Sequence, residues 1–225
     1  MSGPFRYGLD NCPNLVTKAA ELLAHRFAVS SGAKLTLEKN LPVASGIGGG
    51  SADAAAALRL LNRFWDLNLP AEDLATLSAG LGADVPACVI SRSCIGKGIG
   101  QDLSFPQDRT LSGMPVLLIN PLVSVSTPEI FKAWDGVDQG PLAGPDFLTM
   151  ALSGSNGLTK AAADMQPIIS QILNLLKTTE PLLCRMSGSG ATCFALYRSD
   201  EEREQAAASL RSSAPDMWIL SGELK

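Results

Sequence analysis

Between Asn40 and Leu58 the chain reads Asn-Leu-Pro-Val-Ala-Ser-Gly-Ile-Gly-Gly-Gly-Ser-Ala-Asp-Ala-Ala-Ala-Ala-Leu, with four glycines in five positions running into an alanine-rich stretch. Glycine has no Cβ, so this backbone can reach positive φ and come close to a ligand. A helix starting at the same point aims unpaired N–H groups and a positive dipole end at that ligand. Lys34-Leu-Thr-Leu-Glu38 alternates like a half-buried strand leading into the turn. A helix is predicted from Ala52 to about Trp65, with Ala54, Leu58, Leu61 and Trp65 on one face. Strand, glycine turn and helix together make a phosphate cradle, whose expected guest is a nucleoside triphosphate. A flexible linker is the plainer reading, yet linkers are not bounded by a periodic strand and an amphipathic helix.

Two commoner phosphate motifs do not fit. A Walker A loop needs Gly-Lys before Ser or Thr, whereas Gly50 leads directly to Ser51. A dinucleotide fingerprint opening at Gly46 and Gly48 needs Gly or Ala at Ser51.

The rest of the chain limits the function classes. With 225 residues and 46% hydrophobic content it can bury a core, and a net charge of −4 with scattered Lys and Arg gives no footprint for nucleic acid. Thr110 to Pro128 is the longest uncharged stretch, and Pro115, Asn120 and Pro121 interrupt it, so no membrane span is expected and the protein is read as cytoplasmic. Cys12, Cys88, Cys94, Cys184 and Cys193 form no CxxC pair, and five is an odd number, so reduced and mostly buried thiols are expected. His25 is the only histidine; a helix-surface position is the plainer reading, a catalytic base the sharper one. No metal-ligand cluster is visible, nor any signal for an oligomeric state.

Helices are predicted over Asn14–Phe27, from Pro70 to about Gly80, from Ser126-Thr-Pro-Glu129 with a hydroxyl cap, over Pro167–Lys177 and over Asp200–Ser212. Val85–Ile90 reads as a strand or a buried segment, and Gly136–Gly157 as a connection. Strands are predicted at Met114–Ile119, Leu182–Met186, Thr192–Tyr197 and Met217–Ser221. This gives an α+β chain with a boundary near Gly113: an N-terminal domain over residues 1–112 and a C-terminal one over 113–225. Strand-helix-strand-strand-helix-strand in the second half is the order of a ferredoxin-like unit.

The string Pro42-x-x-x-Gly46-Ile-Gly-x-Gly50-Ser51-Ala52-x-Ala54-Ala-Ala56 resembles the ATP-binding motif of the superfamily named for galactokinase, homoserine kinase, mevalonate kinase and phosphomevalonate kinase, the GHMP kinases. Asn14-Leu-Val16, Leu81-Gly-Ala-Asp84-Val-Pro86, and Pro121 with Ser126-Thr-Pro-Glu-Ile-Phe-Lys132 narrow the likeness to the branch acting on a cytidine-diphosphate-linked methylerythritol. Met186-Ser-Gly-Ser-Gly190-Ala-Thr-Cys193 is similar to the superfamily's C-terminal glycine motif. The resemblance implies an N-terminal S5-like α/β domain, a C-terminal ferredoxin-like domain, and transfer of the γ-phosphoryl of ATP, with Mg²⁺, to the acceptor's tertiary 2-hydroxyl in non-mevalonate isoprenoid synthesis.

Carried over residue by residue, the resemblance implies that Pro42, Val43, Ala44, Ser45, Gly46, Ile47, Gly48, Gly49, Gly50, Ser51 and Ala52 wrap the ATP phosphates. It puts Asp84 at the acceptor hydroxyl as the catalytic carboxylate, Phe131 stacked on cytosine and Thr127 near that pocket. Ser187, Gly188, Ser189 and Gly190 close the site. Plainer readings stand beside each: Asp84 as a local backbone cap, Phe131 as core, Gly188 and Gly190 as a tight turn. The family pattern also has an upstream strand with a lysine and an asparagine, then a Gly-Tyr-His segment. None of Lys18, Lys34, Lys39, Lys97, Lys132, Lys160, Lys177 and Lys225 stands in a matching context, and Gln101 replaces a frequent Glu. The N-terminal domain is therefore expected to be incomplete at its start, with unpaired strand groups, exposed apolar surface and weakened activity. A homoserine- or mevalonate-type kinase and a degenerate nucleotide-binding module are the alternatives.

Overall fold

The computed structural model describes residues 1–7, 14–98, 100 and 102–225, so Cys12 and Gln101 lie outside the described residues. It divides into two compact units: Met1–Val43 with Gly48–Pro106, and Ala44–Ile47 with Gln107–Lys225.

In the first unit, Asn14 Oδ1 accepts from Thr17 N at 3.0 Å and starts α1 (Leu15–Arg26); His25 is exposed in its last turn. Helix α2 (Gly49–Phe64) begins inside the glycines, earlier than Ala52, because Gly48 adopts a left-handed conformation (φ 66°) that ends the incoming segment. Ala54, Ala55, Leu58 and Leu61 of α2 join Ala19 and Leu23 of α1 in one core, where alanines let the two helices approach closely. Helix α3 (Ala71–Ser78) follows Pro70 and adds Leu74 and Ala75.

The segment left open as strand or buried piece is α4 (Val85–Ile90), with Pro86 in its first turn. Arg59 of α2 donates to the carbonyls of Cys88 (2.7 Å) and Val89 (3.2 Å), which satisfies acceptors at the C-terminal end of α4. Beyond α4, β1 (Ile95–Lys97) and β2 (Asp102–Ser104) pair antiparallel, two short strands that the sequence did not predict.

The predicted strand at Lys34–Glu38 is corrected: it forms a single parallel bridge, Glu38 to Ser2. A ladder needs a long neighbour, and among the described residues this segment's backbone partners lie in Ser2–Phe5, through Ser2 N to Leu37 O (3.0 Å), Lys39 N to Ser2 O (2.8 Å) and Phe5 N to Lys39 O (3.1 Å). Leu35, Leu60 and Phe64 are exposed.

The second unit holds a four-stranded antiparallel sheet ordered β4-β5-β3-β6, from β3 (Pro115–Asn120), β4 (Leu183–Met186), β5 (Cys193–Leu196) and β6 (Trp218–Glu223). The first and third of these strands lie at the centre, as the ferredoxin-like order requires. Between β3 and β4 the chain forms α5 (Thr127–Ala133), α6 (Phe147–Ser153), α7 (Thr159–Met165) and α8 (Ile168–Lys177); α9 (Asp200–Ser213) precedes β6. Leu117 and Ile119 meet Ile169, Ile172 and Leu176 of α8 and Ala206, Ala207 and Leu210 of α9 in the core.

Helices α6 and α7 are additions to the sequence reading. Helix α6 arises in Gly/Pro/Ser-rich chain because Asp146 Oδ1 caps Thr149 N (2.7 Å), the Asp108 carboxylate accepts from Phe147 N, and Phe147 is buried. The backbone N–H of Thr110, bonded to Asp108 Oδ1 at 2.8 Å, and then that of Phe147 hold the Asp108 carboxyl below its usual range.

Arg59→Met removes the donor at the end of α4 and leaves carbonyls unsatisfied, an expected loss of about 1.5–3 kcal/mol locally. Hydrogen exchange of amides across Val85–Ile90 should then speed up by about tenfold or more; unchanged exchange would show that Arg59 does not secure this helix.

Candidate active site

In the first unit the site is built from the start of α2. Gly48 is its N-cap and supplies no side chain, and the first backbone bond into the helix is Ala52 N to Gly48 O at 2.9 Å. The N–H groups of Gly49, Gly50 and Ser51 thus precede any intrahelical acceptor, at the positive end of a 16-residue helix. Gly50 is exposed and Gly48, Gly49 and Ser51 are half-buried, so the start of the helix is partly open to solvent.

Asp84 faces this turn: a Cβ built on Gly48 would lie 3.8 Å from its Oδ2. Asp84 is also the N-cap residue of α4, but its side chain makes no capping bond there. That removes the plainer reading of it as a local cap. One turn on, the Cys88 thiol is pushed up by burial and further by the Asp84 carboxylate.

A third group was missed by the sequence reading. Lys39 is buried at 5% exposure, its Nζ lies 2.5 Å from Asp53 Oδ2, and a Cβ on Gly49 would be 3.6 Å from that Nζ. It shares the first unit with the glycine turn, although its sequence context matches no family lysine. No pattern marks it, because Asp53 is fourteen residues away.

In the second unit Ala44–Ile47 packs by backbone against the turn joining β4 to β5. Ser187 Oγ donates to Gly46 O (2.8 Å) and Thr192 N to Ser45 O (3.2 Å). Gly46 has φ +75°, and a Cβ there would fall 2.5 Å from Gly190 O and 2.6 Å from Ser187 O; a Cβ on Gly188 would fall 2.8 Å from Gly46 O. The tight-turn reading of Gly188 and Gly190 therefore holds together with a second duty, close docking of residues 44–47. Asn156 Nδ2 braces the turn through the carbonyls of Met186 (2.9 Å) and Gly188 (2.8 Å), and Asn120 Nδ2 donates to Thr192 Oγ1 (2.8 Å). Asn156 stood in a segment read as a connection, so nothing singled it out.

Thr127 and Ser189 share a hydroxyl–hydroxyl bond of 2.8 Å. Ser126 is the N-cap of α5, yet its hydroxyl makes no capping bond, which corrects that part of the reading. Phe131 is 55% exposed, while its neighbour Ile130 is buried, so the plain assignment of Phe131 to the core is overturned. Phe131 and Trp134 line an open cavity of about 260 Å³ with Asp138, Gln139 and Leu158. Cys88, Cys94, Cys184 and Cys193 are free thiols, with only Cys193 fully buried and pushed up to about 12 by that burial. Among the described residues no three His, Cys, Asp or Glu side chains gather as a metal cluster, and no helix is long and apolar enough to cross a membrane.

An open glycine-capped helix start, a carboxylate facing it, and a ferredoxin-like unit with its own glycine turn define a class, the GHMP kinases. The profile described as GHMP kinases N terminal domain matches residues 14–92, and that described as GHMP kinases C terminal matches residues 148–216. A 4-diphosphocytidyl-2-C-methyl-D-erythritol kinase of Novosphingobium aromaticivorans is 47% identical over 99% of this chain and 75% of its own length. One of the same name from Rhizorhabdus wittichii is 45% identical over 100% of this chain and 78% of its own. The crystal structure of a 4-(cytidine 5'-diphospho)-2C-methyl-D-erythritol kinase superposes with a TM-score of 0.77 at 27% identity, covering 98% of this chain and 81% of that one. A homoserine kinase from Cytophaga hutchinsonii superposes with a TM-score of 0.79 at 16% identity, over 100% of this chain and 81% of its own, a likeness of fold. The chain belongs to the 4-diphosphocytidyl-2-C-methyl-D-erythritol kinase family.

Gly46→Ala places a methyl against two backbone carbonyls at positive φ, where nothing yields cheaply. It should cost about 2 kcal/mol or more and weaken ATP binding at least tenfold. Gly32→Ala meets nothing within 4 Å and should stay within about 0.5 kcal/mol of the parent. Thermal melts and nucleotide titration of the two variants check this; equal behaviour would refute the close packing at Gly46.

Proposed function

We propose that this chain transfers the γ-phosphoryl group of ATP to the 2-hydroxyl of 4-diphosphocytidyl-2-C-methyl-D-erythritol, leaving the cytidine diphosphate in place. The substrate is read from the names of the relatives. The reaction type rests on one observation above all, the Asp84 carboxylate facing the uncapped start of α2.

Phosphoryl transfer asks a protein for positioning and for stabilisation of charge on the equatorial oxygens. In this reading residues 42–52 carry the triphosphate on backbone amides, with the α2 dipole favouring its charge. Asp84 accepts the proton of the acceptor hydroxyl as that oxygen attacks the γ-phosphorus; the bond to the β-phosphate oxygen breaks and ADP leaves. Phe131 stacks on the cytosine and Thr127 borders that pocket, while Ser187–Gly190 fixes residues 44–47 of the loop.

Mg²⁺ needs few protein oxygens when phosphates and water supply the rest, and Ser51, in the first turn of α2, offers a hydroxyl of that kind. When bound with ATP the ion neutralises developing phosphate charge. As an ATP-using kinase of a small molecule, the protein works in the cytoplasm on this reading.

Asp84→Asn should lower kcat by about 10²–10⁴-fold while leaving ATP binding within about threefold, measured by phosphorus NMR of product and by nucleotide titration. Excess EDTA should abolish turnover, and added Mg²⁺ should restore it. Full turnover by the Asp84→Asn variant, or phosphorylation of homoserine or mevalonate in preference to the diphosphocytidyl compound, would overturn the assignment.

A further inference from the structure

Lys39 is the one charged residue among the buried side chains of the described chain. Its pair with Asp53 differs in kind from the helical pair Lys160–Asp164, whose side chains are 80% and 65% exposed and whose attraction water screens. The Lys39 and Asp53 side chains are 7% and 26% exposed. A buried ion pair of this sort adds little net stability, but removing one member strands the other charge, so its presence calls for a local reason.

The surroundings supply one. Lys39 is held at both backbone groups, its N–H by Ser2 O and its carbonyl by Phe5 N. Gly3, at φ +96°, lets the chain pass so close that a Cβ there would lie 2.4 Å from Lys39 O. The lysine stem therefore starts from a fixed point and ends beside Asp53 and Gly49. Asp53 lies in α2 just past Gly49, Gly50 and Ser51. A bare carboxylate there is itself attracted to the helix N-terminus, and it repels the phosphate chain that the same amides are proposed to bind.

We propose that Lys39 is a positioning residue that acts through Asp53: it neutralises that carboxylate and holds the first turns of α2, so that the amides of residues 49–51 face the triphosphate without a competing internal anion. This deepens the phosphate-loop reading and rests on it.

The test compares the unaltered chain with Lys39→Met, Asp53→Asn, the double variant and Lys39→Arg, using ATP titration and steady-state kinetics. Lys39→Met should weaken ATP binding and raise its KM at least tenfold, with kcat at saturating ATP within about threefold. The double variant, which removes both charges, should return ATP affinity to within about threefold of the parent. Asp53→Asn alone should bind ATP as well or more tightly, and Lys39→Arg should keep most of the affinity. A double variant as weak as Lys39→Met would overturn the proposal, because the lysine would then act on phosphate directly. Parent-like affinity in Lys39→Met would overturn it too. Should Lys39→Met fail to fold, Asp53→Asn decides: undiminished affinity supports the pair, a tenfold loss refutes it. Absence of ATP binding in the unaltered chain would sink the phosphate-loop reading itself, whereas binding shared equally by all five proteins sinks only the role of the pair.

Discussion

The left-handed backbone at Gly48 is the constraint on which the first unit turns. It ends the incoming turn and starts α2 with no side-chain cap on its first amides. A serine or aspartate cap would satisfy those donors and add local stability. Gly48 instead leaves them available, and the helix is held from its sides, by the alanine-lined face against α1 and by the Arg59 bonds to α4. Stability therefore comes from packing away from the N-terminal end, which leaves the amides there without a side-chain cap.

The second unit solves a related problem with backbone alone. Residues 44–47 approach the β4–β5 turn so closely that side chains at Gly46 and Gly188 would strike carbonyl oxygens. Asn156 and Asn120 then spend their amides on the same region, fixing the turn and the buried Thr192 hydroxyl. Side-chain amides suit this work because they give and accept hydrogen bonds without adding net charge to the turn.

Legibility in the sequence followed the reach of each interaction. The glycine turn, the β4–β5 turn and the helical spans of α1, α2 and α8 are local, and they could be read directly. Lys34–Glu38 could not, since a strand belongs to two segments and its alternation says nothing of a partner. Helix α4 is too short for periodicity to separate it from a buried strand, and its closing donor comes from Arg59, far away in the chain. Asp84 and the glycines were reached by motif. Lys39 carries no motif, and its meaning lies wholly in which carboxylate it meets.

Arg59 and the amides of Gly49 to Ser51 sit on one helix, about two and a half turns apart, and through α4 the first of these sets the ground on which Asp84 stands. Helix α2 is thus a ruler with two marks, one at its start and one past its middle. A single residue inserted or lost between the marks would rotate one set by about 100° against the other, so this stretch can bear exchange of residue types far better than a change of length.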